Sequence, residues 1–453
     1  MIAAEALRSQ IKGRVVEPRD SDYDDVRRLF AGGIDRRPAH IVRVADADDV
    51  ARVIEAVRES SVELAVRSGG HSAAGHSVTE GGVVIDLRDM RRMEIDVEER
   101  MAWAQTGLTA RDYSVATHKH GLATGFGDTG SVGIGGLTLG GGIGYLSRKH
   151  GLTIDNLIEA DVVTADGRLL RANSETNPDL FWAVRGGGGN FGVATRFKFR
   201  LHEVGTVYGG MLMLPATADA IASLVEAAEA AEDELTIIAN VIPAPPMPFV
   251  PAEHHGRLVI LAFMVHAGTL SAGERCAATF RSLAPPIVDM LRPMPYPDIY
   301  PPEDPSYHPM AITRTMMVDS VDRRSAATMI EHLEASDAKV RAVQIRVLGG
   351  AIARVASDST AYAHRTRRIM LNVAAIYDNT AEAARHQAWV DGLWTALQSG
   401  EPAAYVNFLA NEGVSRIHEA YPARTWDRLV AIKGKYDPTN LFRLNQNIPP
   451  AHA

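Results

Sequence analysis

The chain has 453 residues, of which 46% are hydrophobic and 23% charged, with 47 basic against 55 acidic residues for a net charge of −8. That size suits two or three lobes and a sizeable core, and the dispersed lysines and arginines argue against nucleic acid as a partner. No apolar run approaches the roughly 18 residues of a membrane span, and the single cysteine, Cys276, excludes an intramolecular disulfide.

In chain order, the start MIAAEALRSQIKGRVVEP lacks the charged end, apolar stretch and cleavage site of a secretory signal, which predicts a cytoplasmic protein. Asp46 or Asp48 can cap a helix whose apolar positions are Val50, Val53, Ile54 and Val57. The strand SVELAV then runs into VRSGGHSAAGHS, a turn with few side chains and two histidines, His71 and His76. GGVVIDLRDM reads as the next strand, and TARDYSVATHKHG as a helix started by Thr109 and stopped by Gly121.

Two further glycine-rich segments follow, DTGSVGIGGLTLGGGIGYLSRKHG at 128–151 and RGGGGNFGV at 185–193. Such density permits positive φ and lets successive amides surround an anion, a diphosphate being the natural guest. The alternative is close-packed crossings without a ligand. Gly187, Gly189 and Gly192 fit the dinucleotide spacing, but a helical NPDLFWAV precedes them and a strand-like VATRFKFRL follows. That order is the reverse of a Rossmann unit. No glycine-rich stretch ends in Gly-Lys-Ser/Thr, so a Walker A loop is excluded as well.

From about 206 to 395 two helical stretches, around 218–233 and 322–335, lie among strand-like runs and two proline-rich segments, 242–251 and 285–309. Proline lacks the ladder donor, so these segments read as ordered loops or lids rather than central strands. A mostly antiparallel sheet with helices on one face is expected there. His118 and His120 near a helix end, and His254 and His255 in a polar loop, lack partners at ligand spacing. They read as solvated, and no metal is expected. TWDRLVAIKGKYDPTNLFRLNQNIPP closes the chain with a helix, a turn and an asparagine-rich stretch that should fold back on the first lobe.

VRSGGHS with GGVVIDL, then GSVGIGGLTLGGGIGYLSRKHGL, NPDLFWAVRGGGGNFGVAT, and YVNF with KYDPTNLFRLNQNIPP occur in that order. Over nearly the whole chain they resemble the FAD-linked oxidases of the vanillyl-alcohol oxidase and p-cresol methylhydroxylase fold. The berberine-bridge-enzyme-like branch, with its bacterial 6-hydroxynicotine oxidases and polyketide-tailoring flavoenzymes, is the most similar in layout. The resemblance implies a two-lobed α+β fold: an FAD-binding part at 1–205, a substrate part at 206–395, and a C-terminal segment, 396–453, completing the FAD-binding lobe.

The resemblance also implies roles for individual residues. His71 would carry the flavin on its 8α carbon, with Arg67, Ser68, Gly69, Gly70, Ser72 and Ser77 around the diphosphate. Thr129, Gly130, Ser131, Gly133, Gly136, Gly140, Gly141, Gly142 and Gly144 from the second segment, and Gly192 and Val193 from the third, would line the cofactor. Many relatives have a second link through a cysteine where Thr129 stands, so attachment through His71 alone is expected; this weakens a sugar-oxidase reading. His76 matches no role and is read as a structural hydrogen bond.

Val132 matches a position where a side chain smaller than leucine accompanies oxidase behaviour. Tyr405 matches a catalytic base, with Arg346 as helper, while Asn407, Asn445 and Asn447 would meet the isoalloxazine edge. Where some relatives place a tyrosine between the last glycines of the second segment, this chain has Ile143, with Tyr145 two along. Strand alternation puts Gln344, Arg346 and Leu348 on one face, taken to look at the flavin. Gln344 cannot act as a base, which disfavours an amine oxidase relying on a carboxylate there.

The function implied is oxidation of an alcohol or amine carbon of a small or mid-sized, secondary-metabolite-like substrate, with O2 as acceptor. Alternatives are an oxygenase tailoring a polyketide-like product and a catalytically silent FAD-binding protein. A homodimer is the family expectation.

Overall fold

A computed structural model describes residues 4–451. The first 200 residues build two sheets. In the four-stranded one the order is Arg14–Val16, His40–Arg43, Val83–Asp86, Leu64–Arg67. Its last three strands are parallel, joined through the helix Ala47–Ser60. Asp46 caps that helix by accepting from the amides of Asp48 and Asp49, and Val50, Val53, Ile54 and Val57 form its buried stripe. The second sheet is antiparallel, in the order Met93–Asp96, Met101–Gln105, Val193–Arg200, Leu157–Val163, Leu169–Ala172. Between its strands stands the helix Ala110–His118, opened by a capping box of Thr109 and Asp112. Gly121, at φ +68°, lies just beyond that helix.

The remaining large sheet has eight antiparallel strands. Along its main path run Val288–Asp289, Thr206–Pro215, Leu258–His266, Leu235–Pro243, Val340–Val347, Ile369–Tyr377 and Met310–Val318. Alternation divides its faces. Ala239, Ile345 and Leu371 point into a core shared with helices. The intervening Asn240, Gln344 and Asn372 point the other way and are only half-buried.

Two expectations need correction here. The helices in this region number five, not two: Leu270–Arg281, the short Ala351–Arg354 and Ala383–Leu397 join Ala218–Ala230 and Arg323–Ala335. Leu270–Arg281 buries only Gly273, Ala277 and Phe280, which gives a weak apolar signal. The proline-rich stretch 285–309 is also not all loop, since Arg292–Pro295 pairs with Thr206–Pro215, setting Pro293 opposite Tyr208 and Pro295 opposite Thr206. This is an outer position, where the missing proline donor is tolerated.

His150, at the end of the helix Ser147–His150, stacks on His202 with ring centroids 3.9 Å apart. His202 Nε2 donates to Asn156 Oδ1 at 2.6 Å. Burial, reinforced by each ring's cationic neighbours, lowers the pKa to about 3 for His150 and about 4 for His202. The folded pair therefore stays neutral where unfolded imidazoles take up protons, so stability is complete above about pH 6.5 and declines as pH falls toward 4. The melting temperature should drop between pH 7 and pH 5, at up to about 1.4 kcal/mol per pH unit for each imidazole. In His202→Gln the decline should be shallower, which melting curves at matched pH would measure.

Candidate active site

The turn after Leu64–Arg67 is held from beneath. Arg67 is 1% exposed, and its guanidinium donates to the carbonyls of Val26 (2.5 Å), Arg27 (3.2 Å) and Ser77 (3.1 Å). Burial brings its pKa down to about 10. Three of its five N–H donors are thus engaged in closing the turn on itself and on the 26–27 segment. Ser68 Oγ donates to Thr106 O at 2.6 Å and accepts from Gly135 N at 3.2 Å.

The first two glycine segments cross here. A Cβ on Gly69 would stand 2.2 Å from Gly133 N, and one on Gly133 would stand 2.2 Å from Ser68 Oγ. The crossing sets His71 beside Ser131, with Nε2 and Oγ 3.0 Å apart. Phe30 stacks on the imidazole at 4.4 Å between centroids. Burial lowers the His71 pKa, with Glu303 opposing, so the ring is held neutral and nucleophilic. Glu303 lies on the proline-rich segment, which clasps this end of the site. Its carboxylate accepts from Ser131 N at 2.9 Å, Pro301 O accepts from Arg111 at 2.9 Å, and Pro309 O from Gly32 N at 3.0 Å. Ser72 Oγ accepts weakly from His76 N at 3.4 Å, and burial lowers the His76 pKa to about 4.

At the far end of the second segment, Gly140 and Gly141 make room for the C-terminal YVNF, while Gly142 makes room for Thr153. A Cβ on Gly140 would stand 1.9 Å from Asn407 Oδ1, and one on Gly141 3.1 Å from the Tyr405 ring. Tyr405 is 2% exposed, and its hydroxyl oxygen accepts from Gly142 N at 2.8 Å and Asn407 Nδ2 at 2.9 Å. Burial raises its pKa, against the pull of those two donors and of Arg346. Arg346 is paired with Asp128 at 2.5 Å, donates through Nε to Gln344 at 2.9 Å, and lies over the Phe408 ring. Leu348 and Ile143 pack in one cluster with Tyr405 and Tyr362.

The structure thus gathers His71, Ser131, Gly69 and Gly133 at one end and Tyr405, Asn407, Arg346, Gln344 and Gly140–142 at the other. Thr129 touches Asp128, at 3.4 Å, and Val132 is half-buried beside the Gly69 crossing. Much of the glycine density serves close protein approach: a Cβ on Gly144 would meet Phe126 O at 1.5 Å, and one on Gly192 would meet Val163 O at 2.6 Å. Val193 begins a strand and pairs with Val163. Gly136 alone among the second-segment glycines expected at the cofactor faces open space.

Buried polar atoms without partners test whether a flavin dinucleotide fits. Ser77 Oγ, Thr138 Oγ1, Tyr362 Oη, Asn445 Oδ1 and Asn447 Oδ1 are all of this kind. All but Tyr362 belong to the segments expected at the cofactor, and a hydrogen-bonding guest would satisfy them. Thr138 and Tyr362 were not anticipated, and neither were Phe30, Asp128 and Glu303. Thr138 lies inside the second glycine segment and could have been marked by that alone. Asp128 opens that same segment and Glu303 lies in the proline-rich stretch, whereas Phe30 and Tyr362 carry no local signal.

Residues 38–173 match the family described as FAD binding domain, and residues 404–449 that described as berberine and berberine like. (R)-6-hydroxynicotine oxidase of Paenarthrobacter nicotinovorans is 28% identical over 97% of this chain and 97% of its own length. Xylooligosaccharide oxidase of Thermothelomyces thermophilus is 28% identical over 91% of this chain and 88% of its own. The crystal structure of 6-hydroxy-D-nicotine oxidase from Arthrobacter nicotinovorans superposes with a TM-score of 0.85 at 28% identity, covering 97% of this chain and 98% of that one. The chain thus carries an FAD-binding domain followed by a berberine-like segment, and along nearly its whole length it is similar to FAD-linked oxidoreductases with that layout, as fits an FAD-dependent oxidoreductase.

Proposed function

We propose that this protein holds FAD covalently through His71 alone and oxidises an alcohol or amine carbon of a small or mid-sized substrate, passing the electrons to O2 as hydrogen peroxide. The observation that carries the attachment is His71 itself: an imidazole fixed by Ser131 and Phe30 on a glycine crossing. Cys276 supports a single link, because it lies in the helix Leu270–Arg281 against the core of the large sheet, away from this crossing.

The bound flavin would supply a two-electron acceptor for the hydride leaving the substrate carbon. Tyr405 would take the proton from the substrate hydroxyl or amine at its phenolic oxygen, which Gly142 and Asn407 hold in place. Arg346, anchored by Asp128, fixes Gln344 and supports the sheet wall opposite. Asn445 and Asn447 offer unpaired carbonyl oxygens to the cofactor. Two electrons and two protons then reach O2 for each substrate oxidised.

The test is to unfold and precipitate the protein in acid and record whether the yellow absorbance stays with the polypeptide. Colour should remain in wild type and in Thr129→Ala and leave in His71→Ala. Release from wild type would overturn the covalent reading. Turnover under labelled oxygen separates the chemistries: label in peroxide supports the oxidase, whereas label in the organic product would make the protein an oxygenase.

A further inference from the structure

We infer that the sheet wall of this site selects an uncharged, hydroxyl-bearing substrate, through a transverse row of the amides Asn240, Gln344 and Asn372. This inference rests on the reading of the site as an oxidase cleft. Asn240 is registered opposite Gln344, and Gln344 opposite Asn372, on three adjacent strands. Directly opposed residues share a face, with Cβ atoms about 5 Å apart. Thr315, opposite Asn372 on the next strand, ends the row at a buried position, its hydroxyl donating to Leu371 O at 3.3 Å. The row lies two residues along the strand from Arg346, which touches Asp128, Ile143 and Phe408 and so marks the face that looks toward the proposed flavin site.

The orientation of two amides follows from a chain of donors. Arg346 Nε can only donate, so the Gln344 atom at 2.9 Å from it is the oxygen. Gln344 Nε2 then faces Asn240 at 3.1 Å, and the Asn240 atom that receives it is Oδ1. Asn240 Nδ2 is left as a donor to the cleft. Asn372 Oδ1 is buried with no partner, an acceptor awaiting a donor. A substrate hydroxyl both donates and accepts, so it can use either end of the row.

Charge completes the selection. The row is neutral, and the cation beside it, Arg346, is neutralised by Asp128. Among the described residues neither an unpaired carboxylate nor an unpaired cation bonds to the row, so an ammonium or a carboxylate would lose hydration there without compensation.

Three compounds of one shape test this at pH 7: 3-hydroxybenzyl alcohol, 3-hydroxybenzylamine and 3-hydroxybenzoate. Their dissociation constants would be read on the full chain by titration calorimetry, which does not depend on the flavin. Flavin content would be measured separately, so absence of flavin would refute the oxidase reading and leave the order of affinities to judge the row. The alcohol should bind about tenfold more tightly than either charged compound, and Asn372→Leu should weaken it about tenfold. Gln344→Glu should reverse the order of alcohol and amine, which guards against a folding defect in Asn372→Leu. Equal or inverted affinities in wild type, no binding by any of the three, or an unchanged constant in a folded Asn372→Leu would overturn the inference.

Discussion

Replacing Lys433 by methionine should destabilise the protein by about 3–5 kcal/mol, although no catalytic group is touched. Lys433 and Asp437, one helical turn apart at the end of Ala423–Tyr436, both have no exposed side-chain surface. The ammonium spends its three protons on Asp437 Oδ2 (2.7 Å), Asn190 O (2.8 Å) and Phe442 O (3.0 Å). Asp437 in turn accepts from Leu441 N at 2.8 Å and Phe442 N at 2.9 Å. With every donor and acceptor satisfied the pair is tolerated in the interior. Removing the cation strands a buried carboxylate.

The loss should reach the cofactor as well. Asn190 in the third glycine segment donates to Gln446 O at 3.2 Å and accepts from Ile448 N at 2.9 Å, so the same cluster positions the stretch bearing Asn445 and Asn447. At a typical unfolding entropy of about 2 cal/mol/K per residue, the melting temperature should fall by about 3–5 °C. Flavin retention after gel filtration should fall with it in any fraction that is not covalently bound. An unchanged melting temperature would mean that water replaces the ammonium.

Local features of the first 200 residues were legible because local chemistry decides them. A cap at Asp46 or Asp48, the helix start at Thr109, and the helix Pro178–Ala183 before the strand Val193–Arg200 follow from spacing and propensity within a few residues, the structure choosing Asp46 and adding a capping box at Thr109. The glycine segments were legible as special and less so in purpose. Gly69 answers to Gly133, and Gly144 to Phe126, contacts that no local reading contains. The same distance hid Asp128, 218 residues from Arg346, and with it the fact that Arg346 arrives at the site already paired. The amide row was half visible. Gln344 was placed by strand alternation, but its neighbours Asn240 and Asn372 emerge only from the register of three strands.

Tyr405→Phe is expected to slow reduction of the flavin by a factor of about 10²–10⁴, the range that a positioned proton acceptor supplies. Both lone pairs of the Tyr405 oxygen already accept, from Gly142 N and Asn407 Nδ2, so the phenol's own proton is directed away from those two donors. Such donors favour the phenolate, but burial outweighs them and raises the pKa. The phenolate is therefore the minor form at neutral pH and grows about tenfold for each pH unit below the pKa. With any substrate that bleaches the flavin anaerobically, the wild-type rate should climb with pH across the neutral range, and in Tyr405→Phe that slope should vanish. Asn407→Leu removes one donor and should displace the climb to higher pH while leaving the maximum rate closer to wild type. A tyrosine that only packs would give a different result, with both variants changing melting temperature or flavin content and neither changing the pH slope. In that case the proton would have to leave through another group, and the positions to search next are the unpaired atoms facing the same space, Tyr362 Oη first among them.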